Sequence, residues 1–316
     1  MRAEARMLPE LFLERLRHII PSSRWDAVVN TFTRPKPTTF RVNTLKASPR
    51  VVWEQLAAEG FQLQRVPWYS DATILRSGRL RELQETAWYR DGSIYVQSLS
   101  SMLPPIVLDP QPGEMVLDIA AAPGSKTTQM ACLMRGEGRI IANDNNRVRF
   151  FKLRANLQQQ SAKNVELALY DGAIFGRQRP ETFHRVLADV PCTAEGRFLA
   201  SEPKSFGFWK PIKIREMVRK QKQLLASAIL SLRSGGTLVY STCTFAPEEN
   251  EEIVHWALAR WGEVIALEPI TLPFANWLPG LRRWDKHVFD PSIERARRIL
   301  PTDEMEGFFL ARFRKK

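Results

Sequence analysis

Cysteine and histidine are scarce in this chain. Its 316 residues include three cysteines (Cys132, Cys192, Cys243) and four scattered histidines (His18, His184, His255, His287). Three cysteines cannot all pair, and neither a Cys-x-x-Cys nor a His cluster occurs. These absences exclude a disulfide-stapled scaffold and every common zinc pattern, so no metal is expected. An important cysteine here is therefore a nucleophile rather than a ligand. Long apolar runs are also missing. No stretch approaches the ~20 residues a bilayer span needs, and no membrane partner is expected. The first residues, Met1 to Arg6, lead into an amphipathic stretch (Leu8, Leu11, Phe12, Leu16, Ile19, Ile20) that carries charges throughout. The interspersed Glu4, Glu10 and Glu14 argue against a signal or transit peptide, which makes the cytoplasm the expected compartment.

Positive charge, by contrast, is abundant. Lysine and arginine number 46 against 34 acidic residues, a formal net charge of +12. Such a field favours a polyanionic partner, and nucleic acid is the usual one. The excess is concentrated between Glu202 and Lys222, where Lys204, Lys210, Lys213, Arg215, Arg219, Lys220 and Lys222 face only Glu202 and Glu216. Phe206, Phe208 and Trp209 are interleaved there, either to stack bases or to fill a core.

From about Met115 onward, short apolar strands alternate with helical stretches. Strands are expected at Met115–Ile119, Arg139–Ala142, Val165–Ala168, Arg185–Ala188, Thr237–Ser241, Val264–Leu267 and Gly307–Phe313. Helices are expected at Ser125–Arg135, Arg147–Gln160, Lys213–Arg233 and Glu248–Trp261, with Gly235-Gly236 as the stop of the third. That alternation predicts an α/β fold with a parallel sheet and helices on both faces. Residues 1–110 alternate less cleanly and form a separate N-terminal RNA-recognition or support domain in this reading. Leu103–Gly113, with its four prolines, is the expected join to a catalytic domain at 111–316.

The segment Ala120-Ala121-Ala122-Pro123-Gly124-Ser125-Lys126-Thr127 follows a strand and opens a helix, where open α/β sheets bind ligands. Small residues let the backbone approach a ligand, and the helix start presents free N–H groups. Its glycine spacing fits neither a phosphate-binding P-loop nor a dinucleotide fingerprint; the remaining alternative is a merely structural tight turn. Asp144, 26 residues after Asp118, ends the second strand and can accept hydrogen bonds from a ribose. Asp171 follows the third strand and can meet an adenine amino group. A carboxylate after each of three successive strands describes an adenosine pocket.

Asp189-Val190-Pro191-Cys192 follows the fourth strand and Ser241-Thr242-Cys243-Thr244 the fifth, so both cysteines lie at the same sheet edge as that pocket. Such thiols suit cytosine chemistry. A thiolate adding to carbon 6 turns the ring into an enamine whose carbon 5 can attack an electrophilic methyl group. Asp189 can hydrogen-bond the ring edge. The alternative is a pair of buried structural cysteines, the role expected of Cys132. Spacing does not say which thiol attacks.

In these residues the chain resembles the Sun-type RNA (cytosine-5) methyltransferases and, within them, the ribosomal RNA small subunit methyltransferase F-like branch. The resemblance rests on Arg41–Lys46, Tyr95–Pro104, Ala120–Thr127, Asp189–Cys192, Tyr240–Thr244 with Glu248–Glu251, and Glu306–Arg312, in that order. It implies a Rossmann-like class I methyltransferase sheet beside a smaller N-terminal α+β domain. S-adenosylmethionine would be held by Ala120–Lys126, Asp144, Asp171 and Asp189, with Arg149 matching an arginine that follows the ribose-binding acid. It assigns attack to Cys243, assistance in product release to Cys192, and a place close to methyl transfer to Lys126. The implied partner is RNA, ribosomal RNA ahead of transfer RNA, and a monomer is expected. Two departures stand out. Family members carry Pro-Cys-Ser-Gly where this chain has Pro191-Cys192-Thr193-Ala194. The sequence also stops at Lys316 where some relatives continue into RNA-binding domains, so recognition would fall to the N-terminal domain and basic surface, to an accessory partner, or to the rest of a longer protein. The rival readings are the same chemistry on DNA, where the Pro-Cys cysteine attacks, and a non-catalytic RNA-binding or ribosome-assembly protein.

Overall fold

The computed structural model describes residues 7–316; Glu4 and the rest of residues 1–6 lie outside the described residues. The N-terminal part runs α1 (Glu10–Arg17), α2 (Ser22–Asn30), β1 (Thr39–Val42), α3 (Pro49–Ala58), β2 (Gln62–Arg65), β3 (Ala72–Ser77), α4 (Leu80–Glu85), α5 (Ala87–Arg90), β4 (Ile94–Val96) and α6 (Leu99–Leu108). Its four strands pair antiparallel in the order β2-β3-β1-β4. Because side chains alternate along a strand, Phe40 and Val42 of β1 pack on Val52 and Leu56 of α3, while Arg41 between them turns to the opposite side. There the buried Arg41 guanidinium donates to Gln97 Oε1 (2.8 Å), to the Ser125 carbonyl (3.1 Å) and to Thr128 Oγ1 (2.5 Å). The N-terminal sheet is thereby bolted to the helix that opens at Ser125.

The remainder runs β5 (Met115–Asp118), α7 (Ser125–Leu133), β6 (Arg139–Asn143), α8 (Arg147–Gln159), β7 (Val165–Ala168), α9 (Phe175–Gln178), β8 (Phe183–Asp189), α10 (Pro211–Ser231), β9 (Leu232–Thr242), α11 (Glu251–Trp261) and β10 (Ile265–Glu268). It continues through β11 (Trp277–Pro279), a small hairpin of β12 (Arg283–Trp284) and β13 (His287–Val288), β14 (Arg297–Ile299) and β15 (Phe308–Lys315). The sheet order is β11-β14-β15-β9-β8-β5-β6-β7, with β10 also on β15. Strands β7, β6, β5, β8 and β9 are parallel, the order of a doubly wound, Rossmann-like sheet.

Alternate strand residues feed two cores. Val116, Ile140, Leu187, Val239 and Leu310 face α6, α7 and α8. Leu117, Ile141, Val186, Tyr240 and Phe309 face α9, α10 and α11. Each fully buried aliphatic side chain contributes about 1.5–3 kcal/mol of burial free energy, so the sheet is held from both faces.

Two sequence expectations need correction. The sheet is not wholly parallel: β15 runs antiparallel to β9, and β10 and β14 run antiparallel to β15. Between β10 and β15 the chain makes short strands instead of a crossover helix, and an antiparallel return needs none. Nor does Gly235-Gly236 stop the long helix, which ends at Ser231 and runs directly into β9. Gly235, at φ +69°, sits where pairing with β8 jumps from Phe183↔Leu232 to Arg185↔Thr237, so the pair absorbs a strand irregularity. The prolines at 104 and 105 fall inside α6, a buried helix packed on α7 and on the sheet. No helix among the described residues is long and apolar enough to cross a membrane.

Candidate active site

Everything chemically notable gathers at the carboxyl ends of the parallel strands. After β5 the chain turns through Ile119–Gly124 and enters α7. Gly124 is the residue before that helix, at φ +104°, and a Cβ there would meet Leu153 Cδ1 at 2.9 Å, so only glycine makes this turn. The Ala122–Pro123 peptide bond is cis. The Ala122 N–H donates to Asp144 Oδ2 (3.3 Å), the Asn146 N–H to Asp144 Oδ1 (2.9 Å), and Arg149 pairs with Asp144 at 3.3 Å. Asp144 is thus held in place from β6 by the very loop whose small residues the sequence singled out.

Asp144 forms part of the wall of a cavity of about 240 Å³. Of the sequence-derived set, Ala120, Asp144, Arg149 and Asp171 line it. Ala121, Ala122, Pro123, Gly124, Ser125, Lys126 and Asp189 are not among its lining residues. The first five shape the turn behind it, and the last two belong to the neighbouring reaction centre. The expectation of three pocket carboxylates is therefore corrected. Asp118 is buried beneath the loop and accepts from Thr127 Oγ1 at 2.7 Å, and burial pushes its carboxyl up to about 7. It organises the loop, while Asp144 and Asp171 face the cavity. The opposite wall, Pro191 with Lys220 and Leu224 of α10, escaped sequence reasoning. In the sequence Lys220 reads only as part of a basic run, because nothing there says that α10, packed on β8 and β9, brings Lys220 and Leu224 to the cavity.

Beside the cavity, Cys192 Sγ and Cys243 Sγ stand 3.4 Å apart. Lys126 Nζ lies 2.6 Å from Asp189 Oδ2 and donates to Ser101 Oγ (2.9 Å), and Ser241 Oγ donates to Asp189 Oδ1 (2.7 Å). The four predicted reaction-centre residues thus form two contacting pairs, and Ser241, two residues before Cys243, links Asp189 to the strand that leads to that cysteine. The contact with Cys243, and then burial, hold the Cys192 thiol well above its usual pKa, favouring the protonated form. Cys132 is buried elsewhere, in contact with Asn43 Oδ1 (3.3 Å).

Two carboxylates clamp the cysteine loops. Glu249 accepts from the Thr193 N–H (3.0 Å), the Thr193 hydroxyl and Gln221 Nε2 (2.8 Å), and burial raises it to about 7. Glu195 accepts from the Phe245 N–H (3.0 Å) and Trp209 Nε1 (2.8 Å). Gly196 N–H donates to the Cys243 carbonyl (2.8 Å), and a Cβ at Gly196 would lie 2.2 Å from the Gly307 carbonyl oxygen, so three loops stack backbone to backbone. The sequence held the signal for Glu249 and Ser101, which lie in the motifs that carry the resemblance, but gave neither a role.

The exchange of glycine for alanine after Cys192 has a structural consequence. Ala194 adopts φ +57°, the left-handed region that a Cβ disfavours. Ala194→Gly should stabilise the protein by about 0.5–1 kcal/mol, net of the entropy glycine adds to the unfolded chain. Chemical denaturation measures this, and an unchanged or lowered midpoint would show that the loop carries no strain there.

Comparison with known proteins decides the family. A model described as 16S rRNA methyltransferase RsmB/F matches residues 105–314, and one described as the N-terminal domain of 16S rRNA methyltransferase RsmF matches residues 8–99. The chain belongs to the RsmB/F methyltransferase family. Members of this family use S-adenosylmethionine. Ribosomal RNA small subunit methyltransferase F of Cronobacter sakazakii is 38% identical over 314 residues, covering 98% of this chain and 63% of that protein. The Klebsiella pneumoniae protein of the same name is also 38% identical, over 97% of this chain and 63% of its own length. This RsmB/F chain thus spans a little under two thirds of the length of those curated relatives. A methyltransferase homolog from Pyrococcus horikoshii superposes with a TM-score of 0.82 at 34% identity, covering 98% of this chain and all of that one. NSun6 from the same organism superposes with a TM-score of 0.80 at 24% identity, over 97% of this chain and 98% of that one, a likeness of fold.

Proposed function

We propose that this RsmB/F chain transfers a methyl group from S-adenosylmethionine to carbon 5 of a cytosine in RNA, with 16S ribosomal RNA as the substrate and the cytoplasm as the compartment. The observation that carries the reading is the pair of thiols 3.4 Å apart beside the Lys126–Asp189 pair and next to an acid-lined cavity. The cavity residues fit the cofactor: Asp144 and Asp171 offer acceptors for ribose hydroxyls and an adenine amino group, and Arg149 buttresses Asp144. When bound there, the cofactor supplies an electrophilic methyl group.

Every other part of the chemistry falls to the chain. Cys243 forms a bond from sulfur to carbon 6 of the base, and the electrons of the 5,6 double bond make carbon 5 nucleophilic. Asp189, oriented by Lys126 and Ser241, receives the polar edge of the ring and favours the attacked form. After methylation, the carbon 5 proton passes to solvent, its electron pair re-forms the 5,6 double bond, and the carbon–sulfur bond breaks with its pair returning to Cys243 Sγ, which restores the aromatic ring and frees Cys243. Cys192, in contact with the Cys243 sulfur, assists that release. The division of the chain into a support domain at 1–110 and a catalytic domain at 111–316 belongs to the same proposal.

Bisulfite sequencing of total RNA from cells with and without the protein tests the reading. A 16S cytosine protected only when the protein is present is the expected result. Protection confined to transfer RNA would move the substrate, and none at all would remove the activity. Affinity for RNA should also fall with salt, by a slope of about 0.7 in log K against log salt for each phosphate neutralised on single-stranded RNA. Salt-independent binding in a filter assay would exclude the basic surface as the RNA contact.

A further inference from the structure

The basic, aromatic segment between Glu202 and Lys222 does not behave as one unit. Phe206 and Trp209 turn inward onto the cluster built by Phe12, Phe32, Phe198 and Phe245, with the Trp209 ring 6.1 Å from Phe12 and 6.3 Å from Phe198. Phe208, between them, turns outward and is 86% exposed, more than any other large hydrophobic side chain among the described residues. An aromatic ring left in water gains nothing for the fold.

The loop that displays it is closely tied. Ser205 N–H donates to the Glu202 carbonyl (2.8 Å), Phe206 N–H to that of Pro203 (3.2 Å) and Trp209 N–H to that of Phe206 (2.9 Å). Ser205 Oγ accepts from the Leu199 N–H (3.0 Å), and Trp209 Nε1 is anchored on Glu195 (2.8 Å). The ring of Phe208 is thus presented on a fixed frame.

Its position is informative. Phe208 lines a cavity of about 200 Å³ together with Cys192, Thr193, Lys204, Trp209 and Lys213. The same cavity is therefore lined by one of the paired thiols, by an exposed ring and by two lysines. Lys204 is exposed, and Lys213 has only an exposed pairing with Glu216 at 2.7 Å, which a phosphate can displace at small cost. An aromatic face flanked by cations is how single-stranded nucleic acid is gripped without base readout.

We propose that this cavity is a second nucleotide subsite: it holds the base adjoining the target cytosine, stacked on Phe208, with that nucleotide's phosphate between Lys204 and Lys213. The proposal rests on the cytosine-methylating reading above, because it takes Cys192 as one edge of the target site. It adds what that reading lacks, a way to hold the strand when the target base leaves its stack, an event that breaks one stacking contact on each side.

The test uses the full chain and a short single-stranded RNA with one cytosine, carrying 2-aminopurine immediately 5′ or immediately 3′ of it. Wild type should quench the emission at one of the two positions. Phe208→Ala should lose that quench and weaken binding about tenfold, the fold-change equal to ~1.4 kcal/mol of stacking. Phe208→Trp should restore both. Lys204→Ala should leave the quench and lower the salt slope by about 0.7. The inference is overturned if neither position is quenched or if Phe208→Ala quenches like wild type. Methyl transfer measured on the same RNA separates the two ideas. Transfer with a Phe208-independent quench rejects the subsite alone, whereas a Phe208-dependent quench without transfer rejects the catalytic reading and, with it, the place of the Phe208 site beside a target cytosine, leaving only a stacking site for single-stranded RNA.

Discussion

Cys243→Ala should abolish both methyl transfer and covalent attachment to RNA, lowering kcat by at least ~10⁴-fold, the scale on which removal of a catalytic nucleophile acts. On the proposed mechanism, neither of the other two nucleophilic groups at the site replaces it at carbon 6. Lys126 is engaged by Asp189 at 2.6 Å, and the Cys192 thiol is pushed up by its neighbour Cys243 and by burial, so it resists ionising. Cys192→Ala should behave in the opposite way. Addition still occurs, release slows, and protein accumulates as a slow-migrating RNA adduct on a denaturing gel. The double variant should give neither product nor adduct. An adduct from Cys243→Ala would exchange the two roles, and its absence from Cys192→Ala would remove Cys192 from release. On DNA oligonucleotides the same variants separate this chemistry from the DNA type, in which the Pro-Cys cysteine attacks.

The second large effect is on stability. Arg298 of β14 and Glu251 at the start of α11 form an ion pair buried on both sides, with Arg298 Nε donating to Glu251 Oε1 at 2.6 Å. Arg298 Nη1 also donates to the Phe245 carbonyl (2.9 Å), and Glu251 Oε1 accepts from the Leu281 N–H (3.0 Å). The pair therefore ties the segment just after Cys243 to the antiparallel edge of the sheet. Glu251→Ala strands a guanidinium in the interior and should cost about 3–5 kcal/mol, a fall in Tm on the order of 10 °C for a chain of this size. Glu251→Leu with Arg298→Met should recover most of that loss, because no charge then remains to be solvated. If the double variant is as unstable as the single one, the cost lies in lost packing and hydrogen bonds instead.

Local chemistry was legible in the sequence wherever it depends on neighbours along the chain. The alternation of strand and helix from Met115 needs only hydrophobic periodicity. The Ala120–Lys126 loop needs only small residues at a strand end, and Asp144, Asp171, Cys192 and Cys243 follow because residues after parallel strands share one edge. That Cys192 and Cys243 share one sheet edge was legible; that their strands are adjacent and their sulfurs touch was not.

What only the tertiary structure decided are the relations between segments far apart in the chain. Asp118 matched the pattern of a pocket carboxylate, yet its side chain meets Thr127 under the loop, since the direction of a side chain at a strand end depends on what packs behind it. Lys220 and Leu224 joined the cavity wall because α10 crosses over it, and Arg41 fastened the N-terminal sheet to α7, where a sequence shows only a buried-strand pattern interrupted by a charge. Composition could not say whether Phe206, Phe208 and Trp209 were core or contact surface. Packing divided them, two inward and one out, because a hydrophobic side chain is buried only where other elements arrive to cover it.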